Sequence, residues 1–151
     1  MSKKLLSLAL ALVMSLSLAV PAMAADEKTE TPVTPYAVSA DVKGKIVILH
    51  TNDTHGADVA EEGKVIGDAG VAALKSAFEK AGAQVFLFSA GDATQGAPIV
   101  NLSQGEAAIE FMNASGYDAM VPGNHEFDWG ADSLKPIVMK AEFPVLAANI
   151  V

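Results

Sequence analysis

The sequence predicts an α/β fold with the element order β-α-β-α-β-α-β, parallel strands and functional residues at the carboxyl ends of those strands. Three observations predict it. Four short apolar runs recur along the chain, helical spacings lie between them, and a polar turn follows each of the first three runs. Continuous apolar runs suit a parallel sheet covered on both faces, joined by right-handed crossovers.

Two segments precede the fold. Residues 1–24 open on Ser2-Lys3-Lys4 and continue with a sixteen-residue apolar run broken only by three serines. They close on Ala22-Met23-Ala24. A basic start, a short apolar stretch and a small-x-small ending describe a secretory signal peptide cleaved before Ala25. The run is shorter than the ~20 residues that span a bilayer, so a membrane anchor is the weaker reading. Export follows from this, with no stable membrane insertion after cleavage; periplasm, cell wall and medium are not distinguished. Residues 25–42, with their acids, prolines and threonines, read as a flexible spacer, and residues 43–151 as the folded part.

Residues 45–50 (KIVILH) are long enough for one buried strand. Val71, Leu74, Phe78 and Ala81 then follow helical spacing, with Gly82 as the stop. Residues 85–89 (VFLFS) make the second strand. Ala108, Phe111, Met112 and Ser115 mark the second helix, stopped by Gly116. Residues 119–121 form a short third strand and residues 144–148 (PVLAA) a fourth. Between them, residues 132–141 are a third helix, provided Pro136 falls in its first turn.

Composition narrows the chemistry. All ten basic residues are lysine, and beyond residue 24 eight lysines stand against eighteen acids, a formal charge of −10. Such a chain repels a phosphate backbone, which excludes a nucleic acid polymer as partner. Without arginine there is no planar fork for bidentate phosphate binding. Without cysteine there are no disulfides, thiolate zinc sites or cysteine nucleophiles. Any metal must be held by N and O ligands, which suits hard or borderline divalent ions.

In open α/β sheets ligands bind beyond the carboxyl ends of the strands. After the first strand stands Thr51-Asn52-Asp53-Thr54-His55-Gly56, after the second Ala90-Gly91-Asp92-Ala93, and after the third Gly123-Asn124-His125-Glu126-Phe127-Asp128. With the strands side by side, Asp53, His55, Asp92, Asn124 and His125 converge on one edge. The carboxylates Asp53, Asp92 and Asp128 would repel one another there, and divalent cations resolve the repulsion. One carboxylate can bridge two metals ~3.5–4 Å apart. Each piece alone has a plainer reading, Gly-Asp as a helix-capping turn above all. His50 reads as a hydrogen-bonded structural histidine, Glu126 as a solvated or locally bonded loop acid, and Asp58, Glu61 and Glu62 as a surface run. Met112, Met120 and Trp129 read as core or cleft lining. Three strand-end motifs in this order are what point to a metal site.

The set Asp53-x-His55, Gly91-Asp92 and Gly123-Asn124-His125-Glu126-x-Asp128 resembles the calcineurin-like metallophosphoesterase superfamily. More narrowly, residues 50–56 (HTNDTHG) and 124–130 (NHEFDWG) resemble the secreted bacterial 5′-nucleotidase family, across residues 45–151. The resemblance implies two divalent ions of the Mn, Zn, Co or Mg kind and a nucleotide substrate. It implies Asp53 and His55 on the first metal, Asp92 bridging both and Asn124 on the second. It makes His125 the catalytic histidine beside the leaving group and Asp128 the residue that orients it. The implied reaction is phosphate release from nucleoside 5′-monophosphates. UDP-sugar hydrolysis and 2′,3′-cyclic-nucleotide phosphodiesterase activity are the alternatives within the family. The chain departs from the family in having no histidine after His125, where a Gly-His-x-His segment is expected, and no second, substrate-binding domain. It therefore reads as an N-terminal portion with an incomplete ligand set, inactive as it stands, of a longer enzyme to which the implied reaction belongs. The contrasting expectation is an inactive, secreted metal-binding fragment.

Overall fold

The structure, a computed structural model, describes residues 36–149. The predicted signal peptide, its cleavage point and residues 25–35 of the predicted spacer lie outside the described residues. The end of the spacer, Ala40–Val42, forms one 3-10 turn, with the Ser39 hydroxyl accepting from the Asp41 N–H.

Strands β1 (Ile46–Thr51), β2 (Gln84–Ser89) and β3 (Ala119–Met120) form a parallel sheet in the order β1-β2-β3. The register sets Leu49 opposite Leu87 and Ser89 opposite Met120. The predicted fourth strand is reduced to one parallel bridge between Met120 and Val145. Two prolines explain the reduction. Pro144 and Pro122 both lack the N–H that a longer ladder would need. What remains is the Met120 N–H on the Pro144 carbonyl (3.0 Å) and the Leu146 N–H on the Met120 carbonyl (2.8 Å).

Helix α1 (Gly67–Lys80) buries Val71 and Ala77. A short helix α2 (Pro98–Leu102), with proline in its first turn, was not expected, since five residues show no periodicity. Helix α3 (Glu106–Ser115) buries Ala108, Ile109, Met112 and Ser115 and ends on Gly116 at φ 73°. Helix α4 (Ala131–Lys140) corrects the proline expectation, because Pro136 is its sixth residue and lies in the second turn. The missing N–H removes the bond to the Asp132 carbonyl. α4 is held instead by fully buried Ile137 and by Lys140, which pairs with Glu106 at 2.8 Å and with Glu110 on α3.

The core gathers Val71, Leu87, Ile109, Met112, Tyr117, Met120, Ile137 and Phe143, with Leu49 and Val145 against it. Met112 and Met120 are core as expected, whereas Trp129 is 40% exposed. The expectation of a sheet covered on both faces is corrected. Ile46 and Ile48, pointing away from the core, are 65% and 64% exposed. Topology explains this: each crossover steps in the same direction along the sheet, and right-handed crossovers taken in one direction place their helices on one face.

Candidate metal centre

The loops after the strands continue the pairing of the strands. The Asp53 N–H donates to the Gly91 carbonyl (3.1 Å) and the His55 N–H to the Asp92 carbonyl (3.0 Å), so the first loop is laid along the second. The third loop is tied to the second by the His125 N–H, which donates to Asp92 Oδ1 at 2.8 Å. Gly91 and Gly123 make that approach possible, since a Cβ on either would collide with the other loop. The backbone is strained where the predicted site residues stand. Asp53, His55 and Asp92 have φ of 52°, 48° and 55°, and among the described non-glycine residues only Gln104 shares that region. Such conformations are uncommon for non-glycine residues and collect at functional sites.

His55, Asp92 and His125 each offer a ligand atom, and these atoms all lie within 4.8 Å of one another. The two imidazoles meet edge to face, with ring centroids 4.9 Å apart. His55 Nδ1 lies 3.2 Å from both the carbonyl and the side-chain oxygen of Gln95, which leaves Nε2 free, 4.0 Å from Asp53 Oδ1. Asp53 is otherwise exposed and accepts from the Asn52 amide at 2.8 Å. Asn124 is also exposed, at the start of the 3-10 turn His125–Phe127, with no side-chain hydrogen bond among the described residues. The Nδ1–H of His125 donates to Asp128 Oδ2 at 2.7 Å. That bond is the main reason the His125 pKa is raised above its ordinary value. Desolvation opposes it, and the charges of Asp128, Asp92 and Glu126 add to it.

The donor set fits a divalent ion. Nitrogen and carboxylate donors bind zinc-like ions at ~2.0–2.2 Å, so two donors on one ion lie at most ~4.4 Å apart. Three donors spaced equally around one ion lie at most ~3.8 Å apart, so the three atoms, now within 4.8 Å of one another, would close by up to about 1 Å around it.

Three sequence expectations change. Of the two readings of Glu126, solvated or locally bonded, the solvated one fails, and the bonding extends beyond its own loop. Glu126 is fully buried, and its carboxylate accepts from the N–H groups of Asp92, Ala93, Thr94 and Gly123 and from the Thr94 hydroxyl. His50 is exposed on the open face of β1, with no hydrogen-bond partner among the described residues, so it is not the bonded structural histidine expected. Asp58 belongs to no simple surface run. It is half-buried against Asp68, and the Oδ2 atoms of both acids are buried without a donor.

Residues 46–147 match the calcineurin-like phosphoesterase family. The chain belongs to that family. Its parallel α/β sheet is accordingly the first part of a calcineurin-like phosphoesterase domain. Relatives agree with this. The chain is 40% identical over 124 residues to protein UshA of Escherichia coli, covering 78% of this chain and 22% of that protein. It is 39% identical over 119 residues to the 5′-nucleotidase of Vibrio vulnificus, covering 74% and 21%. The solved structure of a 5′-nucleotidase precursor from Thermus thermophilus superposes with a TM-score of 0.60 at 35% identity, covering 68% and 22%. The chain thus spans about a fifth of the length of the relatives it matches. Among the described residues no helix is long and apolar enough to cross a membrane.

Proposed function

We propose that this phosphoesterase domain serves a metal-dependent phosphoester hydrolase acting on nucleotides, a 5′-nucleotidase exported from the cytoplasm. The observation that carries the reading is the mutual approach of His55, Asp92 and His125 beside the His125–Asp128 pair. Asp53, His55, Asp92 and Asn124 would hold two divalent ions of the Mn, Zn, Co or Mg kind. Bound there, the ions would neutralise phosphoryl oxygens and lower the pKa of a water molecule. The chain's own residues do the rest. Asp128 accepts the Nδ1–H hydrogen bond of His125, which fixes the ring and its tautomer and leaves Nε2 available. The Asp128 hydrogen bond favours the charged imidazole, from which Nε2 can donate a proton to the leaving oxygen of the nucleoside. The abundance of 5′-nucleotidases among the relatives favours nucleoside monophosphates as substrates.

The test is hydrolysis by the full-length protein, loaded with Mn²⁺, of AMP read as inorganic phosphate, of UDP-glucose read as UMP and glucose 1-phosphate, and of 2′,3′-cyclic AMP read as adenosine monophosphate, with metal content measured on the same samples. Preference for AMP supports the reading. Preference for the sugar nucleotide or the cyclic nucleotide overturns the substrate assignment. Metal uptake without turnover supports the non-catalytic metal-binding alternative, and no metal uptake overturns the metal centre itself.

A further inference from the structure

We propose that Glu126 is a positioning residue that sets the direction of the Asp92 carboxylate. It does so by clamping the backbone on both sides of the Asp92 Cα. The inference rests on the metal-centre reading above and adds a residue to it.

The geometry is a closed latch between two loops. Glu126 Oε2 accepts from the Asp92 N–H at 2.9 Å and the Gly123 N–H at 2.6 Å. Oε1 accepts from the Ala93 N–H at 2.8 Å and from the Thr94 N–H and hydroxyl, both at 3.2 Å. In return, Asp92 Oδ1 accepts from the N–H of His125, the residue before Glu126. The N–H groups of Asp92 and Ala93 flank the Asp92 Cα, so fixing both fixes where the Cβ points. That constraint holds a conformation uncommon for a non-glycine residue, since Asp92 sits at φ 55°. The burial has the same meaning. Glu126 is 0% exposed, and a buried carboxylate is tolerated only when its lone pairs are filled. Here five donors fill them, and all belong to the loops that carry Asp92 and His125. A glutamine at this position would turn an NH₂ group toward N–H donors. An aspartate would be one methylene too short to reach both loops. Residues behind metal ligands typically tune affinity ~10–100-fold.

The experiment uses the full chain in four forms: wild type, Glu126→Gln, Thr94→Val and Ile109→Val. The last loosens the core at helix α3 without removing any donor to Glu126 and serves as a control for lost stability. Mn²⁺ affinity is read by electron paramagnetic resonance. Amide hydrogen exchange of Asp92, Ala93 and Gly123 is read without metal. The inference expects Glu126→Gln to weaken Mn²⁺ binding about 10–100-fold and to speed exchange at those amides. Thr94→Val, which removes one of the five donors, should shift both readouts less and in the same direction. Ile109→Val should leave affinity within about twofold. Should Glu126→Gln not fold, Thr94→Val against Ile109→Val carries the comparison. Unchanged Mn²⁺ affinity in Glu126→Gln overturns the inference while the metal reading stands. Equal weakening by Ile109→Val reduces Glu126 to a stability role. A wild type that takes up no Mn²⁺ overturns the metal reading and this inference together.

Discussion

His125 carries the sharpest consequence at the scale of single residues. Its Nδ1 is committed to Asp128, so it can offer only Nε2, either to a leaving group or to a cation beside His55 and Asp92. A general acid is worth about 10²–10⁴-fold in rate. His125→Ala is therefore expected to lower phosphate release by about that factor while keeping its metal. Asp128→Asn should lose less, because the imidazole remains and only its orientation and charge stabilisation weaken. Metal analysis of the His125→Ala protein decides between the two uses of Nε2, since loss of metal would move His125 among the ligands. The neighbourhood of these residues is legible in the sequence because each follows a strand, and parallel strands bring their carboxyl ends together. Glu126 is not legible. A glutamate in a polar loop looks solvated, and its signal lies in the unpaired N–H groups of a Gly91-Asp92-Ala93-Thr94 turn, which no side-chain pattern displays. His50 misleads in the opposite way, since it stands in an apolar run whose alternate positions face solvent.

At the scale of elements, the first turn of α1 is bound to the loop before it by an acid pair. The Asp68 N–H donates to the Asp58 carbonyl at 3.0 Å, and the two side chains face each other at the edge of an open groove of about 600 Å³. Burial, followed by the Asp58 charge, pushes the Asp68 pKa up to about 7, and burial raises Asp58 as well. Tyr117, whose hydroxyl meets the Thr51 hydroxyl at 2.9 Å, feels both acids. A proton held between the carboxyls supplies the donor that two ionised acids would lack. The folded state thus binds this proton more tightly than the unfolded chain does, so its stabilising effect is complete below about pH 4 and is lost as pH rises through about 7. Asp68→Asn keeps a donor at every pH. Its urea midpoint should be close to wild type at pH 4 and higher than wild type at pH 8, and a gap that does not widen between those values would refute the shared proton. Helix α4 offers a second test. Pro136 is exposed and removes one helix bond, so Pro136→Ala should raise stability by about 1–3 kcal/mol in the same denaturation experiment. The longer helices are legible from their periodicity. Helix α2 and the reduced fourth strand are not, because a five-residue helix shows no period and a proline-limited bridge looks like a strand in composition.

At the scale of the whole fold, the decisive feature is that the strand order β1-β2-β3 does not reverse among the described residues. Leu49, Leu87 and Met120 of the sheet pack in one cluster with Val71 of α1, Ile109 and Met112 of α3 and Ile137 of α4, whereas Ile46 and Ile48 on the other face of β1 are largely exposed. An apolar run such as residues 45–50 does not announce this asymmetry, because a strand covered on one face and a strand covered on both have the same composition. The order of the strands, which sequence patterning does not display, decides it. Leu87 is 0% exposed at the centre of the core face, whereas Ile48, on the adjacent strand β1 and the opposite face, is 64% exposed. Truncating a fully buried leucine removes its transfer energy and leaves a cavity, so Leu87→Ala should cost about 2–5 kcal/mol. Ile48→Ala removes a side chain that is mostly in water already and should stay within about 0.5 kcal/mol, the range of ordinary surface substitutions. Urea denaturation of the two variants measures both values on one scale. Comparable losses would mean that something covers the Ile48 face in solution, and the one-sided packing would then have to be given up.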